Sequence, residues 1–301
     1  MCFYDEKYDP KVTSQNIQCE YSKLPDHHLC DSFSDSNNSE SFDKTYIPAD
    51  NIAVGDSTCI LGKGRFSEVR EAKILTPEIT TVAVKIPHAL IKIQREIDIH
   101  RGLDHKHLCT MLGYSEMVVD STLVKVMIFP KLECNLKDFL VRNFFTVKDA
   151  LEFSVDIASG MNYLVYQNII HADLAARNCL LDAQQRVLVS DLGLAHRKSS
   201  FDLEIRELPL KWYPVDFTDR VIAQRKSSCI ERGYKVKERG CLRVETSDVW
   251  SFGVLLYEIF SKGNTPFHTL SNFQSCMKTS AGYRLGQPTS CPKFFYELII
   301  I

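Results

Sequence analysis

The stretch His171-Ala172-Asp173-Leu174-Ala175-Ala176-Arg177-Asn178 points to the fold of this chain more directly than any other. It places a carboxylate, Asp173, and a carboxamide, Asn178, five positions apart in what must be a tight loop. A site that transfers a phosphoryl group needs such a pair, because one group orients a hydroxyl and the other holds a metal ion. The stretch therefore predicts a phosphoryl-transfer site.

The composition of the 301-residue chain is that of an ordinary globular protein. Hydrophobic residues make up 45% and charged residues 25%, and the net charge of -2 gives no general reason to expect nucleic acid or a membrane as a partner. No apolar run approaches the ~20 residues that span a bilayer, and the first residues do not form a signal peptide. The eleven Cys lack tight pairing motifs, which favours reduced thiols and a cytoplasmic location.

The chain divides into an N-terminal segment and two parts with different patterns. Residues 1–48 are polar and acidic and cannot bury enough apolar surface to offset the entropy of ordering, so we predict that they are disordered. Residues 49–131 contain alternating runs that predict strands, at 60–70, 81–87 and 122–129, and a helical run at 91–103. Residues 132–301 are mainly helical, at 135–144, 147–166 and 248–261. This order predicts an α+β fold of two lobes with a cleft between them.

Two motifs in the first part suggest a nucleotide site. Leu61-Gly62-Lys63-Gly64-Arg65-Phe66-Ser67-Glu68-Val69 contains glycines that let backbone amides approach phosphates closely. Val82-Ala83-Val84-Lys85 follows, and Glu96 lies on the next predicted helix. A Gly-Lys-Gly stretch alone is often a hairpin turn, and a lone Lys is usually a solvated strand end. Their order along one chain favours the functional interpretation.

Three motifs in the second part complete the pattern. They are Val189-Ser190-Asp191-Leu192-Gly193, Leu208-Pro209-Leu210-Lys211-Trp212 and Asp248-Val249-Trp250-Ser251-Phe252-Gly253. With the glycine-rich run and the 171–178 loop, they make the chain resemble the catalytic domain of protein tyrosine kinases, within the protein kinase superfamily, over about residues 50–301. Ala175, where serine/threonine kinases usually carry Lys, and Arg177 resemble the tyrosine-specific branch.

The resemblance implies a role for each motif residue. Asp173 is expected to orient the substrate hydroxyl and accept its proton with the help of Arg177, while Lys85 neutralises phosphate charge. Asn178 and Asp191 are the implied Mg²⁺ ligands. The resemblance assigns the ATP site to Leu61, Gly62, Lys63, Gly64, Val69, Ala83, Lys85, Glu96, Phe129, Lys131 and Leu180.

Further positions take their expected roles from the same resemblance. Ile128 falls at the gatekeeper position, and residues 129–131 form the hinge that binds adenine. Asp248 is expected to anchor the backbone of the catalytic loop. His100 falls in the hydrophobic spine that joins the lobes, where we expect a partly buried, hydrogen-bonded side chain.

The chain departs from the family pattern in two ways that concern its control and its completeness. Ala172 replaces the Arg that normally receives an activation-loop phosphate, and the loop at 194–208 has no tyrosine, so we expect control by partners or by the N-terminal segment. An insert at about 217–243 is long and basic, and the chain ends before the family's last helices, where the usual partner of Asp216 would lie. A diverged kinase and an imperfectly predicted gene product both account for the insert and the early end.

The resemblance implies ATP-dependent phosphorylation of tyrosine hydroxyls in protein substrates, with ATP and Mg²⁺, in signal transduction. Regulatory signalling proteins are expected as further partners. The protein is expected in the cytoplasm, including attachment to a membrane through its partners. The alternative is a pseudokinase acting as a signalling scaffold, which Ala172, the insert and the early end favour. A third interpretation is the catalytic part of a receptor or of an adaptor-linked kinase.

Overall fold

The computed structural model describes residues 46–55, 58–64, 67–75, 78–88, 90–198, 209–214 and 245–299. The strands are β1 (Ile52–Val54), β2 (Ile60–Lys63), β3 (Ser67–Leu75), β4 (Ile79–Pro87), β5 (Gly113–Val119), β6 (Thr122–Pro130), β7 (Cys134–Asn135), β8 (Ile169–Ile170), β9 (Cys179–Leu181), β10 (Val187–Val189) and β11 (His196–Arg197). The helices are α1 (Leu90–His100), α2 (Leu136–Arg142), α3 (Val147–Tyr166), α4 (Glu245–Phe260), α5 (Asn272–Ser280) and α6 (Lys293–Ile299).

The first lobe is an antiparallel sheet with one helix. The strand order is β1-β3-β4-β6-β5, and β2 pairs with β3. Because side chains alternate along β4, Val82 and Val84 are buried in the core of the sheet while Lys85 belongs to the opposite face. Helix α1 packs on the sheet through Ile93 and Ile97, which are one helical turn apart.

The second lobe packs its long helices around one apolar core. Ile157 and Leu164 of α3 meet Leu255 and Ile259 of α4 there. A capping box at Thr146 satisfies the first backbone amides of α3 and so defines where that helix begins. The short strands β7, β9 and β10 form a small sheet beside this core. Together the lobes form the α+β, two-lobed architecture that the sequence predicts.

Local differences from the sequence-based expectation have clear causes. The run 60–70 contains two strands, β2 and β3, rather than one. The first helix ends at His100 because Gly102 adopts a left-handed conformation with φ 75°. Residues 46–48 lie with the first lobe rather than with the N-terminal segment, since the Ile47 N–H donates to the Tyr114 carbonyl at 2.9 Å.

Four parts of the sequence-based interpretation lie outside the described residues. They are residues 1–45 of the N-terminal segment, residues 199–208 of the 194–208 loop, Asp216, and the insert at 217–243.

Candidate active site

Helix α4 holds the 171–178 loop at two points. Asp248 accepts hydrogen bonds from the backbone N–H groups of His171 at 2.8 Å and Ala172 at 3.0 Å. Burial raises the pKa of Asp248, and these two bonds and the nearby His171 oppose the shift. Glu258, further along α4, accepts from the Ala176 N–H at 2.9 Å. Asp248 therefore occupies the anchoring position expected from the sequence.

Asp173 lies at the centre of a hydrogen-bond network within the loop. The Asp173 carboxylate pairs with the Arg177 guanidinium, and the Asn178 side-chain amide donates to the backbone carbonyl of Asp173 at 2.6 Å. The Asp173 N–H donates to His171 Nδ1 at 3.2 Å, so the ring proton of His171 is assigned to Nε2, which donates to the Ser190 carbonyl at 3.0 Å. Burial raises the pKa of Asp173, with Arg177 opposing the shift. This suits a carboxylate that takes up a proton.

Lys85 lies between two carboxylates that come from different elements. Its Nζ is 2.6 Å from Glu96 Oε1 on α1 and 2.7 Å from Asp191 Oδ1, just after β10. Burial alone would lower the pKa of Lys85, but the charges of Asp191 and Glu96 outweigh burial and raise it. Burial also raises the pKa of Glu96, whereas the Lys85 charge lowers the pKa of Asp191 to about 2. At neutral pH, Lys85 is therefore protonated and Asp191 ionised.

A cavity of about 420 Å³ between the lobes brings most of the sequence-predicted site residues together. Its lining includes all the residues assigned to the ATP site, which are Leu61, Gly62, Lys63, Gly64, Val69, Ala83, Lys85, Glu96, Phe129, Lys131 and Leu180. Arg177, Asn178 and Asp191 also line it, and Asp173 is not among the lining residues.

Other lining residues were not identified from the sequence. Residues 132–135 follow the predicted hinge directly, so continuing the hinge by four residues would have found them. Ser190 directly precedes Asp191 in the 189–193 motif, which is the signal that could have identified it, whereas Cys109 carries no such signal. Cys109 is brought to the cavity by pairing with β10, where its N–H donates to the Val189 carbonyl at 2.8 Å.

The oxygen atoms at the cavity fit a magnesium ion. The Asn178 amide uses its nitrogen to bind the Asp173 carbonyl, which leaves its oxygen for a cation, and the ionised Asp191 side chain is 46% exposed. Mg²⁺ typically takes one or two such protein oxygens together with substrate phosphates. Within the described ranges, no group of three or more His, Cys, Asp or Glu forms a separate metal site. The space at Gly62 is open as well, since a Cβ added there would meet no atom within 4 Å.

The gatekeeper and spine positions lie in the interior beside the cavity. Ile128 is fully buried on β6. The His100 ring packs edge-on against Phe129 with their centroids 5.2 Å apart. The sequence suggests a partly buried histidine, but only 1% of His100 is exposed, because α1 packs directly on the sheet at this point.

Comparison with known proteins supports the interpretation of this geometry. The chain is similar to the tyrosine-protein kinase receptor svh-2 of Caenorhabditis elegans, with 32% identity over 66% of this chain and 17% of the relative. It is similar to the tyrosine-protein kinase receptor TYRO3 of Xenopus tropicalis, with 32% identity over 79% of this chain and 28% of the relative. It also resembles the tyrosine-protein kinase Fer of Rattus norvegicus, with 29% identity over 85% of this chain and 29% of the relative.

The chain spans less than a third of the length of each of these relatives. No helix in the described part of the chain has the length and apolar character needed to cross a membrane. Residues 56–300 match the model of the protein tyrosine and serine/threonine kinase family. Given that match, the order of the motifs and the two-lobed fold around the cleft, the chain belongs to the protein tyrosine and serine/threonine kinase family.

Proposed function

We propose that this chain is a catalytically active protein tyrosine kinase that uses ATP and Mg²⁺. The observation that carries the proposal is a set of charged and amide groups that line the cleft between the lobes, with Asp173 paired to two of them. Lys85 is joined to Glu96 and Asp191, and Asp173 is joined to Arg177 and Asn178. The names of the similar proteins, which are tyrosine-protein kinases, support tyrosine as the acceptor.

In this proposal Asp173 accepts the proton of the substrate hydroxyl. Its burial favours the protonated form, which helps a carboxylate to hold a proton released late in the reaction. Arg177 pairs with Asp173 and lies over the Trp212 ring at 4.7 Å from the ring centroid. Stacking on Trp212 restricts the Arg177 side chain. The ion pair with Arg177 then orients the Asp173 carboxylate toward the substrate hydroxyl.

Other groups that line the cleft handle the charge of the nucleotide phosphates. Lys85 is held by Glu96 and supplies a fixed positive charge, and the backbone of residues 62–64 lines the same cavity. Asn178 and Asp191 would hold Mg²⁺, which neutralises phosphate charge when bound.

A nucleotide-binding pseudokinase scaffold is the second candidate function. Ala172 in place of the usual Arg favours it, because a methyl group cannot receive a loop phosphate.

Phosphotransfer to a poly-Glu/Tyr peptide tests the proposal, with Asp173→Asn as the inactive variant. We expect wild-type turnover, a loss of about 10³-fold in Asp173→Asn, and an unchanged thermal shift with Mg²⁺ and ATP in that variant. Asp98→Asn on the exposed side of α1 is the matched control and should keep full turnover.

Two results would contradict the proposal in different ways. Wild-type protein that is stabilised by Mg²⁺ and ATP but has no more turnover than Asp173→Asn would be a nucleotide-binding scaffold. Wild-type protein with neither stabilisation nor turnover would be a kinase fold without a working nucleotide site.

A further inference from the structure

The peptide unit that joins Ala172 to Asp173 is fixed at both of its polar groups. Its carbonyl accepts a hydrogen bond from the Tyr213 hydroxyl at 3.1 Å, and its N–H donates to His171 Nδ1 at 3.2 Å. Ala172 is fully buried and adopts the left-handed conformation, with φ 63°. An L-residue remains in that conformation only where its surroundings hold it. The orientation of this peptide sets the direction in which the Asp173 side chain leaves the backbone.

Tyr213 is itself well positioned to hold that peptide. Its side chain is buried, and burial, together with the nearby Asp248 and Asp173 carboxylates, raises the pKa of its phenol well above the ordinary value. The hydroxyl therefore keeps its proton and acts as the donor. The hydrogen bond between Tyr213 and Ala172 joins residues 41 positions apart and connects the 209–214 segment to the 171–178 loop.

The segment that carries Tyr213 is anchored to the helix that also anchors the loop. The Trp212 carbonyl accepts from the Ser251 hydroxyl at 2.7 Å, and the Trp212 indole N–H donates to Glu258 at 3.0 Å. Ser251 and Glu258 both lie on α4, which also binds the backbone of His171. Tyr213 thus closes a ring of contacts made by α4, the 209–214 segment and the loop.

We propose that Tyr213 is a positioning residue, whose hydroxyl holds the Ala172–Asp173 peptide and thereby orients Asp173 for proton transfer. The proposal rests on the proposed kinase function. In the family, an arginine at position 172 can receive a loop phosphate and so help to order the 171–178 loop. The proposal assigns part of that role to Tyr213. The hold on Asp173 is then built into the fold and does not require a modification.

Tyr213→Phe removes the hydroxyl and keeps the ring, which makes it the test variant. Tyr296→Phe is the matched control, because the Tyr296 hydroxyl also donates to a backbone carbonyl, that of Leu285, at 2.6 Å. With the poly-Glu/Tyr peptide we expect Tyr213→Phe to lower kcat by about 3- to 10-fold, the range of one net hydrogen bond, with KM for ATP changed less than about twofold. Tyr296→Phe should leave both constants unchanged. Equal kcat in both variants would assign Tyr213 a merely structural role and overturn the proposal.

Amide hydrogen exchange provides a readout that does not depend on turnover. Tyr213→Phe should increase exchange in the peptide that covers residues 171–174, and Tyr296→Phe should not. If the wild-type protein has no turnover above Asp173→Asn, the proposed function fails, and exchange alone then decides whether Tyr213 holds the loop. Faster exchange only in Tyr213→Phe supports that hold, and equal exchange in both variants overturns it.

Discussion

At the scale of single residues, Lys85 separates two carboxylates whose pKa values shift in opposite directions. Glu96 has a side chain that is 8% exposed, and the loss of hydration dominates its shift. Asp191 has a side chain that is 46% exposed, and the charge of Lys85 dominates its shift. The same lysine therefore has a different net effect on each partner, because the Gly193 N–H also stabilises the Asp191 carboxylate, whereas the Asp191 charge raises the pKa of Glu96 further.

On acidification, we expect Glu96 to take up a proton before Asp191. The pKa of Glu96 is raised above its ordinary 4.5, whereas that of Asp191 falls from its ordinary 3.8 to about 2. Asp191 thus contributes stability that is present above pH 3.8 and is lost as the pH falls toward 2. Glu96 contributes in the opposite sense, with stability present below pH 4.5 and lost as the pH rises through its folded pKa.

Carbon-13 NMR of the side-chain carboxyl groups measures this order directly. Glu96→Gln removes one titrating signal and so assigns it, and exposed glutamates provide the reference within the same spectra. A titration in which Asp191 becomes protonated at a higher pH than Glu96 would contradict the dominance of the Lys85 charge at Asp191.

Residue types and spacing predicted Asp173, Asn178, Lys85 and Asp191, because the chemistry of phosphoryl transfer restricts which side chains can serve. Tyr213 could not be found in this way. Its contact is with a backbone carbonyl, and any residue presents a carbonyl, so nothing in the sequence marks the partner.

At the scale of elements, Gly160 lets α3 approach the chain near His107 closely. A Cβ at Gly160 would lie 2.3 Å from the His107 carbonyl oxygen. That stretch also pairs with β10, since the Val189 N–H donates to the same carbonyl at 3.0 Å. The oxygen is thus held in place and cannot move away from an added methyl group.

Gly160→Ala should lower the free energy of unfolding by about 1–3 kcal/mol, because the steric overlap outweighs a gain of about 1 kcal/mol in helix propensity. Gly253→Ala on α4 is the control, since its added Cβ would meet Ile299 O at 3.4 Å, an ordinary contact. That variant should be neutral or more stable than wild type. Urea unfolding measures both, and a gain in stability for Gly160→Ala would contradict the expected overlap.

The longer elements were predictable from periodicity, whereas the shortest were not. Helix α3 has 20 residues and begins and ends where the pattern predicts. Strands β8 and β11 have two residues each, which is too few for any alternation to be seen. They form because distant parts of the chain meet, with His196 opposite Ile170.

At the scale of the whole molecule, Lys85 joins the two lobes. It belongs to the first lobe through β4 and binds Asp191, which belongs to the second lobe, at 2.7 Å. Glu96 on α1 completes the contact. Loss of Lys85 would therefore leave a buried carboxylate without its cation, in addition to the lost link between the lobes.

Lys85→Met should lower the free energy of unfolding by about 3 kcal/mol, because an unpaired buried charge is costly. The double variant Lys85→Met/Glu96→Gln should recover a large part of that loss, since no charge at Glu96 is then left unpaired. Lys125→Met is the control, because its pair with Glu116 lies nearer the surface and should change stability by less than about 1 kcal/mol. Urea unfolding of the four proteins decides, and equal stability of Lys85→Met and Lys125→Met would exclude a buried pair.

By itself, the sequence determined the two-lobed class, the motif residues and the family, since these depend on patterning and on residue types that the chemistry requires. The tertiary structure decided which groups share one cavity, the opposite pKa shifts of Glu96 and Asp191, and the hold of Tyr213 on the Asp173 peptide. These properties arise from distances between residues far apart in the chain and from the burial that packing imposes. Neither quantity exists until the lobes have formed.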